Sequence, residues 1–419
     1  MREWTVIVYG QVLSCIAKIH FPGENHFKNV RQLTFGGVNT EAYFSFNDHY
    51  LTLQAAGYGT NCDQIYRLDL NKSANQAMDR ISTGIGSCTC SFFYPNNKDI
   101  LYAGNFHKTK MNAKKGTNDD SCPVRKCQSP EAKVDPKLKQ LCNTSYTWDI
   151  FPTYDIFKVN EYGNIIAQLT NNNVYDAEAV ISPDGTKILY TSMENGDLDL
   201  YLMDLDGSNK KQITNTLGYD GGGFFSPDII IWFPPTEMEL YVVNVDGTEM
   251  RPVFKDGLGR ANWAPYYLFD NKRIIFSSNF NSTGYDYNSF DLYIVDEDGT
   301  NLEKITHDEK YFDSFPMFSH RGDKIVWASS RGSKKPTDIN IFIADWVDSP
   351  REEEEEEFAD SWEKAKEEML ITNRVRQIAN TTRVVWQNTS TLSFDGIVHF
   401  EGERHFKNVN KLTFGGQNR

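Results

Sequence analysis

The chain has 419 residues, enough for one large domain or two ordinary ones, and 39% hydrophobic and 13% aromatic content supports a real core. Its formal net charge of −14 disfavours nucleic acid and anionic membrane surfaces as partners. No run approaches 18 consecutive apolar residues, so no membrane-spanning helix is expected.

Residues 1–17 end in "WTVIVYGQVLSCIA", an apolar run after Arg2 that closes on small residues. This reads as a signal peptide cleaved after Ala17; a buried first strand is the alternative. Cys15 would leave with it. Cys62, Cys88, Cys90, Cys122, Cys127 and Cys142 would remain. An even, clustered set reads as a disulfide framework in a secreted, extracellular protein, with Cys62 expected to join Cys88 or Cys90. Asn71, Asn143, Asn281, Asn380 and Asn388 each open a glycosylation triplet.

Next comes "HFKNVRQLTFGG" (His26–Gly37), repeated as "HFKNVNKLTFGG" at His405–Gly416, an offset of 379 residues. Between the copies a unit of four short strand-like runs recurs. One pass is "YDAEAVISPDGTKILYTSMENGDLDLYLMDLDGSNKKQIT" (Tyr175–Thr214), with Asp-Gly turns suited to tight hairpins. Its first turn has counterparts at Ser45, Tyr94, Ser182, Ser226, Leu268 and Ser319. Four antiparallel strands repeating at this period form a β-propeller blade. A cysteine-bearing insertion, about residues 106–152, separates strands two and three of the second unit. The fourth unit has no glycine after Asp228 and carries prolines, so its second strand is expected to be short or missing. Six third strands are met by five fourth strands. "VRQLT" (Val30–Thr34) supplies the sixth by pairing with Ile339–Ala344, which removes both open sheet edges. Val409–Thr413 could compete for the same edge.

The expected fold is therefore all-β: a single six-bladed propeller over residues 18–346, closed by an N-terminal strand. An acidic linker and helix (347–370, with glutamates 352–357) and a tail (371–419) duplicating the propeller start would follow.

The run "SPDGTKILYTS…DLDLYLMDLDGSNKKQIT" resembles the PD40 (WD40-like) repeat of TolB-like propellers, over Val30–Trp346. The resemblance implies a six-bladed propeller. It implies no single function, since members dock proteins or gate attached peptidases.

Propeller geometry places the Asp-Gly turns on one face, where aspartates serve as turn formers. The other face begins the innermost strands. Asn39, Cys88, Asp176, Asp220, Asn262 and Asp313 are equivalent positions there, with Glu41 and Glu178 two residues on and Tyr43, Tyr175, Tyr219, Trp263 and Phe312 flanking. These are the candidate ligand-binding residues of a channel mouth. Asp176, Asp220 and Asp313 could hold calcium through oxygen ligands; capping of backbone amides would equally explain them. The insertion cysteines would pin a lid beside this mouth.

No Gly-x-Ser-x-Gly, His-Glu-x-x-His or phosphate-loop motif occurs. The expectation is a monomeric, non-catalytic binding or scaffold propeller engaging a protein or small extracellular ligand, with no catalytic residues. A calcium-dependent esterase or lactonase at the channel mouth, or a fragment of a larger peptidase-type protein, are the alternatives.

Overall fold

The structure is a computed structural model. It describes residues 19–72, 78–108, 122–136, 139, 149–226, 229–233, 238–255, 258, 261–281, 289–307, 310–333, 335 and 337–348. The expected signal peptide, the acidic linker and helix, the duplicate tail, Cys142, Asn143, Asn380 and Asn388 lie outside these residues.

The described strands form six four-stranded antiparallel sheets. Five are built from four consecutive strands; in chain order they begin at Val38–Phe44, Cys88–Phe93, Asp176–Ile181, Gly221–Phe225 and Asn262–Tyr267. The sixth takes three strands from Asp313–Phe318, Lys324–Ser329 and Asn340–Trp346, and its fourth from Phe27–Gln32. Each first strand touches the first strands of the two neighbouring sheets, and the chain of contacts closes on itself. The fold is thus an all-β propeller.

Closure follows the strand count read from the sequence. Phe27 pairs with Trp346 and Gln32 with Phe342. Leu33 N then donates to Ile341 O at 2.8 Å, and because the pairing starts at Phe27 it reaches further upstream than Val30–Thr34 alone. The N-terminal copy of the repeated segment occupies this edge.

Sheets stacked face to face bury their middle strands on both sides. Such strands read as unbroken apolar runs rather than alternating ones. Ile100–Gly104 is buried at every position, and Lys187–Ser192 at all but its first. The turn reading also holds. Asp206 Oδ1 accepts from Ser208 N at 2.9 Å, as Asp246 does from Thr248 and Asp298 from Thr300.

In the fourth sheet the expectation is a second strand short or missing. Its second strand, Ile229–Phe233, is present with five residues and pairs with both neighbours. The run of β-branched and aromatic residues in "IIIWF" is long enough for a strand before the prolines begin.

Candidate functional site

The expected inner ring is real in position and different in chemistry. Asn39, Cys88, Asp176, Asp220, Asn262 and Asp313 are all fully buried, each at or beside the start of its inner strand. Each polar side chain is satisfied locally. Asp176 accepts from Ser192 Oγ at 2.5 Å and Asn172 Nδ2 at 2.6 Å. Burial pushes its carboxyl above the usual range, while these hydrogen bonds pull the other way. Asp220 accepts from Thr216 Oγ1 at 2.6 Å. Asn39 donates to Gly36 O and Ile339 O, and Ser278 Oγ donates to Asn262 Oδ1.

Asp313 has the counter-charge that its strand position does not reveal. Arg331, fully buried, donates from Nη2 to Asp313 Oδ2 at 2.8 Å and to Glu24 Oε1 at 3.0 Å. The three aspartates thus each have their own separate partners. Among the described residues no group of three or more histidine, cysteine, aspartate or glutamate side chains is arranged to hold a metal ion.

Chemistry concentrates two residues further on. Glu41, Cys90, Glu178, Gly222, Ala264 and Phe315 are equivalent positions in the six sheets. All have left-handed backbone, with φ between 43° and 62°. Each lies within or beside a register shift between the first and second strands of its sheet. Five of the six are not glycine, so the bulge is imposed against residue preference at roughly 1 kcal/mol or more apiece. A bulge of this kind re-aims the side chain, and here all six residues line one cavity of about 290 Å³.

The walls of that cavity are aromatic or apolar: Tyr43, Tyr219, Phe224, Trp263 and Phe315, with Ile150 from the end of the insertion. The charged lining groups are Glu41 and Glu178. They differ sharply. Glu178 Oε2 accepts from Thr191 Oγ1 and Tyr219 OH at 2.7 Å and from Gly222 N at 2.8 Å; Oε1 accepts from Tyr175 OH at 3.0 Å. Glu41 is 8% exposed, and its Oε2 is buried without a hydrogen-bond partner. Burial pushes its carboxyl up to about 7, with hydrogen bonds from Cys90 and Tyr43 opposing and repulsion from Glu178 adding.

The fourth sheet contributes Gly222 and Gly223 to the lining. Next to them, Gly221 lets Tyr219 and Glu178 approach the backbone closely: a Cβ there would lie 2.3 Å from the Tyr219 ring and 2.7 Å from Glu178 Oε2. The run Gly221–Gly223, where other inner strands carry side chains, marks this close approach in the sequence. Glu41 and Glu178 were legible as site residues; Cys90, Gly222, Ala264 and Phe315 were not.

The expected pairing of Cys62 with Cys88 or Cys90 is corrected. Cys62 is bonded to Cys122, and Cys127 is also in a disulfide. Cys88 and Cys90 are free and buried within the inner strand, and the partner of Cys62 comes from the insertion instead. The bond ties the insertion to the loop between strands two and three of the first sheet. Arg125 to Asp63, 3.4 Å, adds a second tie. Asn71 and Asn281 are exposed.

No family model matches the chain. It is 25% identical over 185 residues to the Tol-Pal system protein TolB of Wolinella succinogenes, covering 43% of this chain and 42% of that one. The chain thus matches less than half the length of that relative. It is 26% identical over 232 residues to the uncharacterized protein Atu1656 of Agrobacterium fabrum, covering 48% of this chain and 73% of that one. Among solved structures it resembles a TolB-type protein of Agrobacterium tumefaciens, with TM-score 0.46, 15% identity, and coverage of 74% of this chain and 91% of that one.

Proposed function

We propose that this chain, a TolB-like β-propeller, is a non-catalytic binding module that takes a small ligand, or one side chain of a protein partner, into the axial cavity. The observation that carries this reading is the cavity itself. Six re-aimed residues surround a largely apolar space with a few convergent polar groups, the usual make-up of a ligand site. Six blades closed by an N-terminal strand supply a rigid frame. The Cys62–Cys122 bond supports folding in an oxidising compartment, in keeping with secretion. A calcium-dependent hydrolase would need carboxylates converging on an ion, and Asp176, Asp220 and Asp313 each spend their oxygens on separate partners.

The test is a screen of small amphipathic fragments by tryptophan emission. Trp263 lines the cavity. Fragments bound there should lose most of their signal in Trp263→Phe, which keeps an aromatic wall. Hits that respond equally in the variant, or no hits at all, would overturn the reading.

A further inference from the structure

We infer that the axial cavity selects an organic ammonium ion with an apolar body, the cation meeting Glu41 and the body lying against the aromatic wall. This rests on the binding reading above and names the ligand class of the same site.

The first observation is the unmatched oxygen. Glu41 Oε2 is buried, lines the cavity and has no hydrogen-bond partner. A buried acceptor left unpaired costs free energy, so a donor arriving from a ligand restores what folding gave up. The second is the sign of the charge. Among the described lining residues there are two carboxylates and no lysine, arginine or histidine. An anion would meet uncompensated repulsion there. The third is the wall. Trp263, Phe315 and Phe224 present rings to the same space, and ring faces attract cations, most strongly where water is excluded.

The donor set also separates ammonium from a hard metal ion. Calcium asks for six or more oxygens. Glu178 already accepts four hydrogen bonds, and Glu41 offers one open oxygen among apolar groups. An alkylammonium needs far fewer ligands and brings its own apolar surface. Ala264 and Gly222, small at two of the six axial positions, leave room for that body.

The experiment compares three close analogues by calorimetry: 2-phenylethylammonium, its neutral isostere 2-phenylethanol, and anionic 3-phenylpropanoate. Capped lysine (N-acetyl-lysine methylamide) runs alongside, to tell a peptide side chain from a free amine; binding by either supports the assignment. The ammonium should bind about tenfold or more tighter than the alcohol, and the carboxylate should not bind. Glu41→Gln should weaken the ammonium by a similar factor and leave the alcohol unchanged. Equal binding of ammonium and alcohol, unaffected by E41Q, would overturn the ammonium assignment and leave the cavity reading standing. Binding by none of the four would overturn the assignment, and the fragment screen then decides the cavity reading separately. The isostere comparison uses the unaltered protein, so the outcome stands even if E41Q folds poorly.

Discussion

Ile341 N donates to Thr34 Oγ1 at 2.9 Å across 307 residues of chain. The same bond recurs inside other sheets: Ile156 to Thr170, Leu200 to Thr214 and Leu292 to Thr306, each at 2.9 Å. Ser82 does the same for Ile65. A hydroxyl ending the fourth strand fastens it to the third, and the closing strand carries the identical fastening. Thr34→Val should therefore cost about 1–3 kcal/mol, because the Ile341 amide is left unpaired in a buried place. Thr214→Val, in an uninterrupted sheet, should cost about the same. Urea unfolding of both variants measures this. A neutral T34V beside a destabilising T214V would mean another segment, such as Val409–Thr413, closes the ring.

Arg331 holds two acids at once. It is fully buried between Glu24 and Asp313 and also donates to Ile19 O at 3.1 Å. Arg331→Met keeps the bulk and removes the charge. Both carboxylates then remain buried without their cation, at a cost of about 3–5 kcal/mol. Thermal melting should show a large drop. A loss below about 1 kcal/mol would show that water or rearrangement satisfies the acids unaided.

Glu41 makes stability fall with rising pH. The folded carboxyl titrates near 7, against an ordinary 4.5, chiefly through burial. Cys90 and Tyr43 ease this; Glu178 and Asp63 add repulsion, and Tyr219 faces the same group. Between those two values the folded state holds more protons than the unfolded one. Its contribution is therefore best at low pH, declines between about 4.5 and 7, and stays lowered above. Glu41→Gln removes the decline. The variant should gain on the order of 3 kcal/mol over wild type between about pH 4.5 and 8, by denaturant unfolding. Parallel pH profiles would show that Glu41 is solvated in the folded protein.

The Cys62–Cys122 bond spans 60 residues. Replacing both with serine should lower stability by about 2–4 kcal/mol. Peptide mapping of the native protein should recover Cys62 joined to Cys122. Cys88 and Cys90 should alkylate only after unfolding. Ready alkylation of either in the native state would contradict their burial.

The architecture was legible because its signals are local and repeated. Pro183-Asp184-Gly185 and Asp206-Gly207 mark hairpins by residue chemistry, and "VRQLT" announces a fourth strand by matching "KQIT". The inner-ring positions followed from the equivalent place the repeat gives the start of each innermost strand. The bulges did not, because nothing in a glutamate, a cysteine or a phenylalanine signals positive φ; the neighbouring strand imposes it. Nor could strand position reveal that Asp313 meets Arg331, which reaches it from just beyond the second strand of the same sheet. Disulfide partners also depend on how the insertion folds back over Cys62.

The six axial positions share one backbone shape and carry six unequal side chains. Glu41, Cys90 and Glu178 come from consecutive sheets, and so do Gly222, Ala264 and Phe315. One half of the rim is polar and acidic; the other is apolar. A frame with near-rotational repetition thus encloses a space with a distinct front and back. On the proposed binding reading, a guest entering along the axis would find only one rotational setting that places charge against charge and ring against ring. The propeller's symmetry supplies the socket, and the break in that symmetry works as its keyway.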